Sequence, residues 1–340
     1  MDQSLLQLAT GYLPAPILYA AVDLGIADVL ADRPLSSGEV AAKAGADPAA
    51  VLRLLRALVG LGVVSQQDAD RFELTELGGQ LRTGTPGSIR DHVLLCTMPQ
   101  LWHAWGNLAA AVRTGRPVRD RDTGLTAFEA SMRHPELSRL YRAAKAQSSL
   151  EFTGSVTRVY DFTRLGVVAD LGGDCGTFIA AILTAAPGVR GIVYDTPQAH
   201  EQIASTLREA GVEDRCDIAE GDATVGVRPG ADAYLLNHVL RDMDDEHAIA
   251  VLRNCRAAVE PGSRILVMET TIPVVLSAED SPTYGMTDLN NLVYAGGRER
   301  TAGEYRALLQ AGGFTVAGTT DVASTEGLPS YQLIEGVPGG

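Results

Sequence analysis

The stretch LGVVADLGGDCGT, residues 165–177, joins an apolar run directly to a glycine-rich turn. The short apolar run 167–169 predicts a buried strand that ends at Asp170, and the following apolar segment 178–185 predicts a helix. Glycines at 172, 173 and 176 let the backbone turn tightly and approach a ligand closely. This stretch therefore predicts the first strand, turn and helix of an α/β domain with a ligand at the turn.

The chain after this turn alternates between strands and helices. The predicted strands cover 191–195, 233–239, 264–269, 314–322 and 331–337, and the predicted helices cover 200–210 and 246–259. Repeated strand–helix units predict a mostly parallel sheet that is covered on both faces. The last two strands are expected to close it as an antiparallel hairpin, so residues 161–340 are assigned to a Rossmann-like domain.

Residues 1–90 follow a different pattern, which predicts a mostly α-helical winged-helix domain. Helical spacing runs over 4–30, Ser36-Ser37 and Asp47-Pro48 are helix starts, and a short hairpin follows over 63–74. The second of these helices offers only Arg53 and Arg56 to nucleic acid, so its apolar surface favours dimerisation. Residues 91–160 are predicted to be a helical connector that contributes to a substrate pocket.

The overall composition excludes several classes of protein. A hydrophobic content of 46% over 340 residues is enough for a large core, whereas a net charge of −14 argues against a nucleic-acid partner. We found neither a run of about 20 apolar residues nor a basic leader, so no membrane span or signal peptide is expected and the protein is predicted to be cytoplasmic. The four cysteines lack zinc spacing, so neither a metal nor a disulfide is expected.

Acidic residues follow the predicted strands at the edge of the sheet where a ligand is expected. Asp195 lies about 20 residues after the glycine turn, at the position of a ribose-binding acid. Asp222 lies in a further loop and can accept a hydrogen bond from an adenine amino group. Asp170 and Asp174 would repel a pyrophosphate, whereas S-adenosylmethionine has no phosphate and carries an ammonium and a sulfonium. The predicted cofactor is therefore S-adenosylmethionine.

An ordered set of motifs extends over nearly the whole chain. The motifs are the winged-helix start, Trp102 followed by Arg113-Thr114-Gly115-Arg116-Pro117, the glycine turn, Tyr194-Asp195-Thr196-Pro197, Gly221-Asp222, the run from Val239 to Glu246, and Gly296-Gly297-Arg298-Glu299-Arg300-Thr301. With these motifs the chain resembles the small-molecule O-methyltransferases of the plant caffeate and bacterial antibiotic-biosynthesis type. The resemblance implies a homodimer through the N-terminal domain, with S-adenosylhomocysteine as the product of the cofactor.

The loop pattern and the resemblance together predict the cofactor-binding residues. They are Asp170, Gly172, Gly173, Gly176, Asp195, Thr196, Gly221, Asp222, Ala223, Asn237 and Met243. Two positions depart from the family: Asp174 replaces the usual glycine, and Met243 replaces the usual tryptophan. A methionine can still pack on an adenine face, with less rigidity.

The resemblance also implies the catalytic positions, and one of them is atypical. The family uses a histidine base that two glutamates orient, and the glutamates match Glu269 and Glu299. The histidine position holds Arg241, which stays protonated and cannot act as an ordinary base. The neighbouring His238 is either a packed strand-end residue or a group that reaches the substrate. Glu299 has an alternative interpretation, a surface ion-pair cluster with Arg298 and Arg300.

Large apolar and polar side chains of the helical segments are the predicted substrate contacts. They are Trp102, Phe128, Met132, Phe152, Asp242, Met286, Asn290 and Tyr294. Asn290 and Tyr294 are four residues apart and share a helix face. Alternatively, the large apolar residues pack in the core, and the helix face that carries Asn290 and Tyr294 is exposed to solvent.

Three functions remain open at this level. The first is methyl transfer to a hydroxyl or carboxyl group of a small aromatic or polyketide-like natural-product intermediate, with Arg241 pairing with its oxyanion. The second is a cofactor-binding enzyme with non-methylating chemistry, such as hydroxylation, decarboxylation, cyclisation or pericyclic rearrangement. The third is a winged-helix regulator that responds to a ligand, which the apolar second helix and the acidic charge disfavour.

Overall fold

The structure is a computed structural model that describes residues 4–173, 175–278, 281–322 and 331–339. Side chains are not described at 143–152 and 281–283, so Asp174 and the side chain of Phe152 lie outside the described residues. The chain divides into two compact units. The first unit comprises Met1–His103 and Ser131–Ala144, and the second comprises Ala104–Ala130 and Lys145–Gly340. The segment 91–160, predicted as one connector, is divided between them.

The described residues form the following helices in chain order: α1 (Leu5–Thr10), α2 (Pro14–Asp23), α3 (Ile26–Val29), α4 (Ser37–Ala44), α5 (Pro48–Gly60), α6 (Glu76–Gly79), α7 (Arg90–Cys96), α8 (Pro99–Gly106), α9 (Leu108–Thr114), α10 (Ala127–Arg133), α11 (Pro135–Val159), α12 (Thr177–Ala185), α13 (His200–Glu209), α14 (Asp245–Ala258), α15 (Ser281–Tyr294) and α16 (Ala302–Ala311). The strands are β1 (Val64–Asp68), β2 (Arg71–Leu74), β3 (Val167–Leu171), β4 (Arg190–Asp195), β5 (Cys216–Glu220), β6 (Ala233–Asn237), β7 (Arg264–Thr270), β8 (Phe314–Val322) and β9 (Tyr331–Pro338).

Helices α4 and α5 of the first unit begin where the sequence predicted. Ser36 caps α4 in a capping box, in which its hydroxyl accepts from the Glu39 amide at 3.2 Å and Glu39 accepts from the Ser36 amide at 2.8 Å. Asp47 caps α5 by accepting from the Ala50 amide at 2.8 Å. The antiparallel pair β1–β2 follows and buries Phe72 completely. The helices and the hairpin of the predicted winged helix are thus present.

The N-terminal helices of the first unit leave apolar side chains uncovered. Leu5, Leu6 and Leu8 are 84%, 74% and 54% exposed. Residues Leu5–Asp23 have a mean hydropathy of 1.4 over a window that is only 11% buried, and by length and composition alone this stretch could cross a membrane. Gln7 and Thr10 interrupt the leucines, so the sequence does not show this stretch as one unbroken apolar run. The turn at 11–13 divides the stretch into α1 and α2.

The second unit is built on a seven-stranded sheet with the order β5-β4-β3-β6-β7-β9-β8. All neighbours from β5 to β7 are parallel, and β9 is antiparallel to both β7 and β8, which confirms the predicted closing hairpin. β5 was not predicted. The predicted strand 233–239 ends at Asn237, because His238 has a left-handed φ of 55° that an extended strand does not allow.

Helices cover both faces of this sheet. On β6, Leu235 packs in a core with α12 and α13, whereas Tyr234 and Leu236 pack in a second core with α14 and α16. Each fully buried aliphatic side chain contributes about 1.5–3 kcal/mol. The chain winds outward from β3 in one direction and from β6 in the other, so the crevice at the carboxyl ends of these two strands is the expected ligand site.

Candidate active site

The turn from β3 to α12 is shaped by glycine. Gly172 has a φ of 76°, and its amide donates to the Tyr194 carbonyl at 2.9 Å. A Cβ on Gly173 would lie 2.4 Å from a methyl carbon of Val193, which no side chain tolerates. Gly176, also at φ 76°, begins α12 as its N-cap. The turn therefore stays bare of side chains at 172 and 173, next to the crevice.

Acidic groups surround this turn. Asp170, at the end of β3, is buried. The Asp195 carboxylate, at the end of β4, accepts from the Thr196 amide at 2.6 Å, and the Asp195 carbonyl accepts from the Gly221 amide at 3.3 Å. The exposed Asp222 carboxylate accepts from the amide and the hydroxyl of Thr224 at 2.8 and 2.7 Å. Carboxylates thus lie at the ends of β3 and β4 and just after β5.

The other side of the crevice carries an unsatisfied acceptor. The Asn237 amide oxygen, at the end of β6, is buried and has no hydrogen-bond partner among the described residues. A buried acceptor in this state is costly unless a ligand satisfies it. Ala223 and Met243 are half-buried and pack at the margin of the core below. The crevice combines carboxylates, a turn without side chains and the unpartnered Asn237 oxygen. These groups suit a cationic, hydroxylated ligand without phosphate, so the residues present fit S-adenosylmethionine.

Arg241 lies in the single 3₁₀ turn Leu240–Asp242 that follows β6. One terminal nitrogen of its guanidinium donates to the Glu299 carboxylate, and the other donates to the Thr270 hydroxyl at 3.3 Å. Burial lowers the pKa of this guanidinium, but the carboxylates, Glu299 foremost, outweigh the burial and raise it. Arg241 is therefore a permanent cation and not a proton acceptor.

Glu299 is fixed from several directions. The Asn291 amide donates to the same carboxylate oxygen as Arg241, at 3.0 Å, and the Glu299 amide donates to the Asp288 carboxylate at 2.7 Å. Its second carboxylate oxygen is buried and unpartnered among the described residues. Burial raises the pKa of Glu299, and the Arg241 charge opposes that rise. Because the Glu299 side chain is sealed from solvent, it acts on its surroundings through Arg241.

The alternative of a surface ion-pair cluster is wrong for two of its three members. Glu299 and Arg300 are buried at 1% and 0% exposure. Only Arg298 is exposed. The sequence Arg-Glu-Arg gave no sign of this, since three consecutive charges are usually solvated.

Glu269, at the end of β7, binds the backbone of the segment 240–245, which is named the arginine turn. One carboxylate oxygen accepts from the amides of Leu240 and Arg241 at 2.8 and 3.3 Å. The other oxygen is buried without a partner among the described residues. Burial raises the pKa of Glu269 to about 8, and the nearby Arg241 charge limits the rise. Glu269 is accordingly protonated at neutral pH.

His238 lies at the end of β6 in its left-handed conformation. Its amide donates to the Met268 carbonyl at 3.0 Å, and its ring stacks on Tyr331 with centroids 5.1 Å apart and planes at 15°. These contacts favour the packed strand-end interpretation over contact with a substrate.

Some of the predicted substrate residues come together in the second unit. The Asn290 amide oxygen accepts from the Trp105 indole at 3.2 Å, and the Tyr294 ring meets Phe128 edge-on at 5.6 Å. Trp105 was not among the predicted substrate residues, although it is one of only two tryptophans in the chain. The arrangement joins two aromatic contacts to the polar face of α15.

The remaining predicted substrate residues are dispersed. Trp102 and Met132 belong to the first unit, where Trp102 meets Tyr12 edge-on at 6.0 Å. Met286 is 61% exposed on α15. Asp242 is half-buried in the arginine turn.

A cavity of about 580 Å³ lies beyond the end of β7. The described residues that line it include Thr271, Tyr284, Thr301, Asp321 and Tyr331. No predicted cofactor residue is among them. The chemistry of the side chains, rather than the size of this cavity, identifies the crevice at β3 and β6 as the candidate active site. Among the described residues, no three histidine, cysteine or acidic groups are placed to hold a metal ion.

The fold and the site define a class of protein. A parallel sheet with an antiparallel last hairpin, a glycine turn after its first strand and acids after the next two is the arrangement of an adenosyl-cofactor-dependent transferase. Two family models match the chain: the O-methyltransferase dimerisation domain over residues 6–83 and the O-methyltransferase domain over residues 105–315. The chain belongs to the O-methyltransferase family, as its sequence motifs predicted.

Known proteins similar to the chain agree with this assignment. The phenazine O-methyltransferase of Lysobacter antibioticus is 36% identical over 95% of this chain and 94% of its own length. The structure of the mitomycin 7-O-methyltransferase superposes with a TM-score of 0.88 at 31% identity, over 98% of this chain and 96% of that one. An O-methyltransferase from neocarzinostatin biosynthesis, solved with S-adenosylmethionine and 2-hydroxy-5-methyl naphthoic acid, has a TM-score of 0.86 at 27% identity, over 99% and 100% of the two chains. The chain is thus an S-adenosylmethionine-dependent O-methyltransferase.

Proposed function

We propose that the enzyme methylates a hydroxyl or carboxyl oxygen of a small aromatic or polyketide-like natural-product intermediate that reaches the site already ionised. The observation that carries this proposal is the Arg241–Glu299 pair. Of its two side chains only that of Arg241 has any exposure, 14% against 0%. The partly exposed side chain at the family's base position is therefore a protonated guanidinium and not a base. The neocarzinostatin relative, solved with a hydroxylated naphthoic acid, is consistent with an acidic aromatic acceptor.

The residues of the crevice are proposed to hold the cofactor. Asp195 accepts from the ribose hydroxyls, Asp222 from the adenine amino group, and the Asn237 oxygen from a donor at the other end of the molecule. Met243 packs on the adenine. When bound, S-adenosylmethionine supplies an electrophilic methyl group on a sulfonium, so no metal or second cofactor is needed.

Arg241 is proposed to stabilise the acceptor oxygen in its anionic form. The hydrogen bonds to Glu299 and Thr270 use one N–H on each terminal nitrogen, and an arginine carries five N–H donors. The remaining donors can bond an oxyanion in a fixed orientation, an arrangement that strengthens as negative charge localises. Because Glu299 pairs with the cation, the site offers donors rather than an uncompensated positive charge.

The first unit is proposed to form a homodimer. The match to the dimerisation domain covers residues 6–83, and the uncovered leucines of α1 lie at its start. Packing a second copy on these side chains would remove their apolar surface from water. The net charge of −14 supports a small-molecule substrate with no nucleic-acid partner. We further propose that the dimer works in the cytoplasm without a membrane partner.

Labelled cofactor tests the proposal directly. Purified enzyme is titrated with S-adenosylmethionine and S-adenosylhomocysteine, and then given methyl-labelled cofactor with 1-naphthol and 4-nitro-1-naphthol. These two acceptors share a ring system and differ in acidity. We expect micromolar cofactor binding and faster labelling of the nitro compound at neutral pH.

Other outcomes would point elsewhere. Equal labelling of the two naphthols, or faster labelling of 1-naphthol, would contradict an acceptor that ionises unaided. Conversion of an acceptor without transfer of label would favour the non-methylating alternative. If the enzyme bound neither S-adenosylmethionine nor S-adenosylhomocysteine, the proposed roles of the cofactor-binding residues would be wrong.

A further inference from the structure

Consecutive residues of the loop before α16 contact the arginine turn, residues 240–245. A Cβ on Gly297 would lie 2.0 Å from the Arg241 carbonyl oxygen, so the two backbones touch. The amide of Arg298 donates to that carbonyl at 2.9 Å, and Glu299 binds the Arg241 guanidinium. The next residue, Arg300, continues the series but has no role in the proposed chemistry.

Arg300 gives four hydrogen bonds to this one short segment. Its guanidinium donates to the carbonyls of Leu240 and Met243, both at 2.8 Å. It also donates twice to one carboxylate oxygen of Asp245, at 2.9 and 2.7 Å. The acceptors lie at both ends of the turn, so the fork of a single side chain spans it. A buried cation is tolerated only when it is paired and hydrogen-bonded in this way.

Arg300 is itself held firmly. Its carbonyl accepts from the Ile272 amide at 3.1 Å, and its backbone bridges to Thr271 just beyond β7. The guanidinium lies over the Tyr305 ring, 5.8 Å from its centroid. The side chain is completely buried. The backbone of Arg300 is therefore fixed next to the end of β7, and its guanidinium holds the arginine turn at a set distance from that point.

We infer that Arg300 is a positioning residue for methyl transfer, which sets Arg241 and Met243 in their places together. The inference rests on the proposed contacts of Arg241 with the acceptor and of Met243 with the cofactor. Through the Leu240 and Met243 carbonyls, Arg300 links the acceptor side of the site to the cofactor side. A lysine keeps the charge but has no planar fork to span both carbonyls.

Arg300→Lys tests the inference, with Arg298→Lys as the matched control. Arg298 is in the same loop and also lies 3.6 Å from Asp245, but its side chain is 45% exposed. We expect Arg300→Lys to weaken S-adenosylhomocysteine binding about 10-fold and to lower kcat about 100-fold, while KM for the acceptor changes less than 3-fold. Arg298→Lys should leave all three within 2-fold. Wild-type affinity and kcat in Arg300→Lys would overturn the inference.

A double variant separates positioning from general structural damage. If Arg300 acts through Arg241, the kcat losses of Arg300→Lys and Arg241→Ala overlap instead of multiplying. Fully multiplied losses would count against positioning. Full activity of Arg241→Ala would sink the proposed function, whereas the effect of Arg300→Lys on S-adenosylhomocysteine affinity would still test the link to Met243.

Asp245→Asn keeps the inference testable should Arg300→Lys not fold. This variant removes the ion pair and retains both carbonyl bonds of Arg300. Because the buried guanidinium loses its counter-charge, we expect the unfolding free energy to fall, while the S-adenosylhomocysteine affinity and kcat of the folded protein stay within 3-fold of wild type. A loss of 10-fold or more would show that the charge pair, and not the hold on the two carbonyls, is what matters.

Discussion

Arg241 and Glu299 form an ion pair in which the Glu299 side chain is sealed from solvent and the Arg241 side chain is 14% exposed. The oxygen of Glu299 that binds Arg241 also accepts a hydrogen bond from the Asn291 side chain, which fixes the position of the carboxylate. Arg241 is thus held as a cation and cannot act as an ordinary base. The proposed role of Arg241 as a fixed donor rests on this arrangement.

The donor role predicts a loss of kcat with little loss of cofactor binding when Arg241 is removed. Arg241→Ala should lower kcat about 10²–10³-fold, the usual effect of removing a donor from a developing oxyanion. Arg241→Lys should retain part of the rate, because it keeps one charged donor. Arg253→Ala, on the exposed face of α14, is the control. Steady-state kinetics with the nitro-naphthol measure all three, and a fully active Arg241→Ala would exclude the role.

Breaking the ion pair should be costlier than removing it whole. Glu299→Leu leaves the Arg241 charge unpaired and is expected to lower the free energy of unfolding by about 3–5 kcal/mol. Combining it with Arg241→Met should restore most of the stability but none of the activity. The exposed pair of Arg33 with Glu39 is the comparison, where Arg33→Ala should cost under about 1 kcal/mol. Urea denaturation measures each value, and equal costs for the single and double variants would refute the coupling.

Protonated Glu269 predicts a pH dependence of stability. Its pKa is about 8 in the folded protein and 4.5 in its ordinary state, so the folded protein binds the extra proton between these values. Its contribution is fully present below pH 4.5 and is lost as pH rises through about 8. Glu269→Gln keeps the acceptor for Leu240 and Arg241 but does not titrate. The difference in unfolding free energy, wild type minus variant, should fall across this window; a flat difference would show that Glu269 is ionised.

The contact of Gly297 with the arginine turn leaves no space for a methyl group. Gly297→Ala would bring its Cβ within 2.6 Å of the Asp242 carbonyl carbon as well as against Arg241. We expect a loss of about 1–3 kcal/mol in stability and a kcat reduced at least 10-fold. Gly303→Ala is the control, since its nearest neighbour is a Thr301 atom at 3.8 Å and α16 favours alanine. Thermal melts and kinetics of both variants decide, and equal behaviour would refute the close contact.

Asp195 should govern cofactor affinity. Asp195→Ala is expected to weaken S-adenosylhomocysteine binding at least 10-fold, because two ribose hydroxyls lose a charged acceptor. Asp217→Ala, on β5 and 74% exposed, removes a carboxylate from the same region and should have no effect. Calorimetric titration measures both. Unchanged affinity in Asp195→Ala would exclude the ribose contact.

The sequence was sufficient for the parts of the fold that local pattern encodes. The apolar strands, the capped helices α4 and α5 and the glycine turn were visible because burial and capping leave a mark on neighbouring residues. β5 was not visible, since Asp217 and Glu220 interrupt its apolar residues on an edge strand that is covered less. Its position follows only from pairing with β4.

The candidate site divides in the same way. Family motifs pointed to Arg241, Glu269 and Glu299, but nothing local revealed that Arg300 is buried or that Asn291 holds Glu299. The hydrogen bonds of Arg300 join segments that are distant in sequence, and the contact of Asn291 with Glu299 depends on the folding of α15. Phe128 and Tyr294, whose rings meet, were both among the predicted substrate residues. Trp105 was not, because its hydrogen bond to Asn290 spans 185 residues and leaves no local mark.

The two buried glutamates that flank residue 241 also bear on how such an enzyme diversifies. Two arginine codons differ from histidine codons by a single base. The Glu299 carboxylate, which binds the guanidinium here, is also suited to accept from an imidazole N–H. A lineage can therefore exchange a donor for a base in one mutational step without rebuilding the scaffold. On this fold, one substitution at residue 241 therefore separates an enzyme for acceptors that ionise unaided from an enzyme for acceptors that need a base.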